Sequence, residues 1–331
     1  MFKKTLKKLV LSFVIACSFA CLSFSSTLET SSSEIVIPED QKATLTDLTI
    51  VVSSCGKYSD CWEPFCKLLF KYWPSLKTYN KHIKIIFITT EKDFSFDGVD
   101  VLKIPQDISW SDNLIEALKL VKTKYVLYMQ EDYMLMQPVN ERRMDELLKG
   151  MAQSNAVYLQ LTDDGHAAKT GSPYPAIPGT AIKGKYQDWR PSLRSALWET
   201  NLFLWLLKPG ENPWQFESAD GSYRSQGVRE PFLACAKDDP IPVYNACNIG
   251  YWTQGGLDFL KKEGLPVNNP TLPVFEDYPF THWLKAHYPS VYRKWLSVLE
   301  IFDPKFQKNP VSRGQIKYTQ LKSDLQSQKN T

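Results

Sequence analysis

The sequence predicts an α/β domain, a three-layer sandwich around a mostly parallel central sheet, and three observations point to it. Short apolar runs of strand length recur through the first half, rich in Thr, Ile, Val and aromatic residues. Between them lie stretches whose apolar residues return at helical spacing. The two kinds alternate, and such alternation is the signature of parallel strands joined by crossover helices on both faces. With 331 residues and 43% hydrophobic content, the chain can bury a large core.

Taken in order, Leu48 to Ser53 reads as the first strand. A helix is expected from about Asp60 to Trp73. Asp60 and Glu63 have capping-box spacing there, Trp62, Phe65, Leu69 and Tyr72 share a face, and Pro74 is the stop. Ile83 to Thr89 and Val99 to Ile104 are the next two strands. Ser111 to about Lys122 carries Leu114, Ile115, Leu118 and Val121 at helical spacing and leads into a strand at Tyr125.

That strand is the most informative stretch. Five largely apolar residues, Tyr125 to Met129, run into Glu131 and Asp132. Such a run suits a strand buried on both faces. A parallel strand delivers its carboxyl end to the crevice where ligands bind. Two acids placed there offer hard oxygen donors that suit Mg²⁺ or Mn²⁺ holding a diphosphate. The alternative is a solvated turn that begins with two acids.

The order of these pieces resembles the nucleotide-sugar domain of GT-A glycosyltransferases, in particular bacterial family-2-like enzymes. The matching pieces are a first strand ending in Ser53-Ser54-Cys55, then Trp110-Ser111-Asp112-Asn113-Leu114, then an apolar strand closed by Glu131-Asp132-Tyr133. The resemblance covers roughly Leu48 to Phe302 and implies a GT-A-like, Rossmann-like fold. It implies that Asp132 holds the metal on the donor diphosphate. Glu131 departs from the usual Asp-x-Asp pattern at the ribose contact. By position, Ser53 falls where the family grips the nucleotide base and Asp112 where it touches base or ribose. A helix-capping acid is the other reading of Asp112.

Beyond the acid pair, Asn140 to Gln153 reads as a helix and Ala156 to Leu161 as a strand. Thr162 to Arg190 is a long Gly-, Pro- and polar-rich loop in which His166 accompanies Asp163 and Asp164. Ser192 to Trp198 reads as strand or turn, Asn201 to Lys208 as a short helix, and Pro213 to Glu217 as a loop. The resemblance places a Trp-containing loop and the general base here, which assigns the base role to Glu217; a surface acid in a loop is its other reading. Trp214 and Phe216 either form an acceptor platform or anchor the loop. Ile241 to Ile249 reads as strand, followed by a helix from about Gln254 to Glu263. Glu276 and Asp277, which precede an aromatic helix containing His282, are the rival candidates for the base or for acceptor contacts.

At the N-terminus, Lys3, Lys4, Lys7 and Lys8 precede a mostly apolar run from Leu9 to Phe24, the pattern of a signal peptide or signal anchor over residues 1–26. Cys17 and Cys21 each follow Ala and also allow lipoprotein-type cleavage. Residues 27–46 read as a polar linker, 47–303 as the catalytic domain, and 304–331 as a polar tail. This organisation implies a membrane-associated or exported protein, with the cytoplasmic face not excluded. None of the remaining cysteines makes a Cys-x-x-Cys pair, so a zinc site is not expected. Cys61 and Cys66 read as buried free thiols, while in an exported protein Cys235 and Cys247 could pair, although the count of five is odd. A formal charge of +3 and the absence of a basic stripe argue against nucleic acid.

The function implied is sugar transfer from a nucleotide-sugar donor to a glycan or glycolipid hydroxyl, inverting and dependent on Mn²⁺ or Mg²⁺. A secreted carbohydrate-binding protein that kept the fold without catalysis is one alternative. It is favoured by the export signal, since nucleotide sugars are not expected outside the bacterial cytoplasm. A metal-dependent phosphoryl or nucleotidyl transferase is the other.

Overall fold

The computed structural model describes residues 48–78, 83–162, 171–187, 189–248 and 250–275. Outside them lie the basic-apolar N-terminus, the linker, the tail, the His166 loop with its two acids, and Glu276, Asp277 and the His282 segment.

Four strands make the parallel side of an eight-stranded sheet. They are β1 (Leu48–Ser53), β2 (Lys84–Thr90), β3 (Asp100–Ile104) and β4 (Tyr125–Gln130), in the order β3-β2-β1-β4. Every residue of β1 is buried, as expected for a strand covered on both faces. Side chains alternate across a strand, so Val51, Ile86, Ile88, Val126 and Tyr128 share one face. There they meet Leu114, Ala117 and Leu118 of α3 (Trp110–Lys119) and Phe203 and Leu206 of α5 (Thr200–Leu206). Phe87 points to the opposite face. Its ring centroid lies 6.3 Å from that of Trp62 and 5.9 Å from that of Phe65, both on α1 (Ser59–Tyr72). Helices cover both faces, which makes the three layers; two further helices are α2 (Ser75–Thr78) and α4 (Glu141–Ser154).

The second half of the sheet is mixed. β8 (Ala196–Glu199) runs antiparallel between β4 and β6 (Tyr158–Gln160). β9 (Phe232–Cys235) is parallel to β6, and β7 (Thr180–Ile182) pairs antiparallel with β9 at the edge. The stretch expected to be loop from Thr162 to Arg190 therefore contains a strand, held by a ladder that local sequence does not announce. Away from the main sheet, β5 (Tyr133–Leu135) pairs with β10 (Val243–Asn245). A small three-stranded sheet joins β11 (Cys247–Asn248), β12 (Tyr251–Thr253) and β13 (Val274–Phe275). After β12 comes α8 (Gln254–Lys262), and Glu263 at its end accepts hydrogen bonds from Tyr72 Oη at 2.9 Å and from Lys71 Nζ at 2.7 Å. These bonds fasten the end of α1 to α8.

Several expectations need correction. The capping box at Asp60 and Glu63 does not form: the N-cap is Tyr58, with no side-chain cap bond. Asp60 instead accepts from the Thr271 amide at 2.5 Å, the Thr271 hydroxyl at 2.7 Å and the Leu272 amide at 3.1 Å, while Glu63 pairs with Lys67. A distant segment reaches the first turn and takes the acid. The Ile241–Ile249 run is broken into β10 and β11 rather than one strand. Cys235 and Cys247 are both free, so the envisaged bridge is absent, while Cys61 and Cys66 are buried free thiols as expected. Among the described residues, no helix is long and apolar enough to cross a membrane.

Candidate active site at the ends of β1 and β4

From β1 the chain moves outward to β2 and β3, then returns to the other side of β1 as β4. Such a reversal leaves a crevice beyond the carboxyl ends of the two central strands. Ser53 lies opposite Gln130 in the register, so the next residues, Ser54–Cys55 and Glu131–Asp132, are neighbours at that crevice. The Asp132 carbonyl is pinned by the Ala246 amide at 2.8 Å.

Glu131 is buried, and Ser54 hydrogen-bonds it while accepting from Trp62 Nε1 at 2.7 Å. Burial, then the Asp132 charge, pushes the Glu131 carboxyl well above the usual range. Burial raises Asp132 to about 7. Asp132 Oδ1 is sealed from solvent without a hydrogen-bond partner. A buried carboxylate oxygen in that state is costly unless a proton or a cation meets it. The donor set fits Mg²⁺ or Mn²⁺, which take one or two carboxylates and complete their shell with phosphate oxygens and water. Among the described residues no cluster of three or more His, Cys, Asp or Glu could hold a metal, so any such ion would depend on donor oxygens from the substrate.

This pair makes stability depend on pH in a stated direction. Both folded pKa values lie above the unfolded ones, so between about pH 4 and 7 the native state binds more protons than the unfolded chain. Stability of the metal-free protein should therefore fall as pH rises through that window. Thermal melts across it should show a flatter profile for Asp132→Asn than for the natural chain.

The surrounding residues shape the same crevice. The Ser53 side chain hydrogen-bonds Tyr128. The Gly56 amide donates to Thr90 Oγ1 at 2.7 Å, and a Cβ at Gly56 would lie 2.8 Å from the Thr90 carbonyl, so the turn after β1 needs glycine to rest on β2. Tyr58 has its phenol pushed up by burial and then by Glu131 and Asp132. Asp112 sits in the first turn of α3, where Ser109 is the N-cap. Its Oδ2 accepts from Ser109 Oγ at 2.5 Å and from the Gly210 amide at 2.8 Å. It therefore shapes the helix start and anchors the turn at Gly210.

Glu217 belongs to a helix, α6 (Pro213–Ser218), not to the expected loop. Asn212 caps it, Gln215 completes a capping box and Pro213 takes the first turn. Phe216 is fully buried against Trp110, Trp198 and Phe203, so of its two readings the structure shows the anchor and its ring is no acceptor platform. Trp214 is 52% exposed. Glu217 Oε1 accepts from the Leu193 amide at 2.5 Å and from Ser192 Oγ at 3.2 Å. Burial raises its carboxyl, opposed by those two bonds and by Lys183 and Arg194.

Arg194 also hydrogen-bonds Tyr133, whose phenol burial pushes to about 12, with Asp132 and Glu217 adding to the rise. Asp132 and Glu217 both raise the Tyr133 phenol electrostatically, the one link the structure gives between these two sequence-selected acids among the described residues. Ser192, Arg194, Tyr58 and Lys183 have no periodic or motif signal, because they lie in turns and loops.

A buried clamp holds α6. Arg224, in α7 (Asp220–Ser225), donates to both Glu211 oxygens at 2.7 and 2.6 Å and to the Leu206 carbonyl at 2.8 Å. At the α6–α7 junction a Cβ on Gly221 would lie 2.4 Å from the Phe216 carbonyl. Gly221→Ala should cost about 1–3 kcal/mol by overpacking, read as a lower denaturation midpoint in urea.

No family model matches the sequence, and no curated protein matches it. Among solved structures, TarS 1-349 from S. aureus is 11% identical with a TM-score of 0.37, covering 60% of each chain. The mannosyltransferase PcManGT from Pyrobaculum calidifontis, in complex with GDP-Man and Mn²⁺, is 10% identical with a TM-score of 0.39, covering 67% of this chain and 62% of that one. The bifunctional IspDF from Campylobacter jejuni is 13% identical with a TM-score of 0.33, covering 60% and 52%. This chain spans less than two thirds of each of these relatives.

Proposed function

We propose that this protein is a glycosyltransferase that moves a sugar from a nucleotide-sugar donor to the hydroxyl of a glycan or glycolipid, with inversion and with Mn²⁺ or Mg²⁺. The observation that carries the reading is the sealed, partnerless Asp132 Oδ1 beside buried Glu131 at the strand crossover, with a second carboxylate, Glu217, held by the Leu193 amide and Ser192. Asp132, with Glu131 behind it, would hold the metal. A bound divalent ion neutralises charge that gathers on a departing diphosphate.

Glu217 receives the proton. Burial raises its proton affinity above that of an ordinary glutamate, the direction a general base needs, and the Leu193 amide and Ser192 hold its Oε1 in place. The acceptor oxygen attacks the anomeric carbon as the carbon–diphosphate bond breaks on the opposite face, and the acceptor proton passes to Glu217. Ser53 and Asp112 border the nucleotide. Trp214, exposed on α6, offers the acceptor a ring to stack on. The apolar N-terminal segment would hold the enzyme at a membrane.

A second reading, a secreted carbohydrate binder without turnover, draws on that same N-terminal segment. Incubation with a panel of nucleotide sugars separates the readings. Free sugar or transferred sugar supports the transferase, and binding without turnover supports the binder. Cleavage within the diphosphate would instead indicate a phosphoryl or nucleotidyl transferase.

A further inference from the structure

Cys61, in α1, and Cys247, in β11, are 186 positions apart in sequence, yet their sulfurs lie 3.6 Å from each other and both residues are fully buried. We propose that they form a redox site: a reversible disulfide that staples α1 to the strand behind the acidic turn. Cys55, Cys66 and Cys235 are also free. Contact between two thiols in a packed interior is the arrangement a bridge needs, because closing to the ~2 Å of an S–S bond takes only small side-chain rotation.

The place of the bridge gives it a consequence. Ala246, next to Cys247, donates its amide to the Asp132 carbonyl, and Asn245 pairs with Tyr133 in the β5–β10 ladder. Cys61 lies in the first turn of α1, directly after the turn that carries Gly56 and Tyr58. A bond between them would tie both sides of the crevice together from behind. Access to the buried sulfurs comes through β11, which has two residues and among the described residues pairs only with β12, so local opening is inexpensive.

The step consumes a disulfide oxidant such as glutathione disulfide. Two thiols lose two protons and two electrons to form one S–S bond, and the oxidant leaves as two molecules of reduced glutathione. Equilibration of the reduced full-length chain in glutathione buffers of graded ratio, then alkylation, digestion and peptide mass mapping, tests this without any activity readout. The expected result is a linked peptide pair containing Cys61 and Cys247 that grows with the oxidising ratio. A rise in Tm of about 5–10 °C should accompany it. Both signals should vanish in Cys247→Ala and persist in Cys235→Ala. Should Cys247→Ala fail to fold, the map of the natural chain decides alone. Full alkylation of Cys61 and Cys247 at the most oxidising ratio would overturn the proposal, as would a Cys235–Cys247 peptide in their place.

Discussion

Asp132→Asn should reduce sugar transfer by about 10³-fold or more while leaving the fold intact. Charge stabilisation by a bound metal is worth several kcal/mol in a transition state, and each 1.36 kcal/mol is tenfold in rate. The Asn side chain keeps the size of Asp but cannot serve as an anionic ligand. Stability should hold or rise slightly, since one of two desolvated, mutually repelling acids has been neutralised. The deciding measurement is donor affinity by calorimetry with and without chelator. In the natural chain chelation should weaken binding, and in the variant it should make little difference. Equal chelator sensitivity in both would remove Asp132 from the metal site. A large loss of stability would mark it as a structural acid.

The local parts of the fold were legible because local physics sets them. β1 begins and ends where its Thr/Ile/Val-rich run does, and the acid pair sits where an apolar strand must release its chain. The antiparallel insertion of β8 was not legible, because strand direction depends on the long connection that precedes it. Asp60 illustrates the other failure. Its spacing fits a capping box, but the Thr271 and Leu272 groups brought by tertiary structure claim the carboxylate. Phe216 reads from sequence either as an acceptor platform or as an anchor, and only packing against Trp110, Trp198 and Phe203 decides for the anchor. Asp132 and Glu217 could be named singly from sequence. The electrostatic effect of both on Tyr133, and the Arg194 hydrogen bond to it, emerge only when β5 and the loop before β8 are placed in space.

Glu217→Gln isolates the base. The substitution keeps shape and leaves an oxygen able to accept from the Leu193 amide and Ser192, so α6 should dock as before. What disappears is the site for the acceptor proton. General-base catalysis is worth typically 10²–10⁴-fold, so kcat should fall by about that range with donor affinity retained. Transfer in the natural enzyme should also rise with pH through the Glu217 titration, which burial moves above the ordinary glutamate value, and that limb should be missing in the variant. Ser192→Ala supplies a graded control. Losing one of two bonds to Oε1 should lower kcat far less than Glu217→Gln and shift the pH limb upward, because a hydrogen bond that favours the charged form has gone. If Glu217→Gln turns over at the natural rate while Asp277→Asn is inactive, the base lies in the Glu276–Asp277 pair and the acceptor site moves with it.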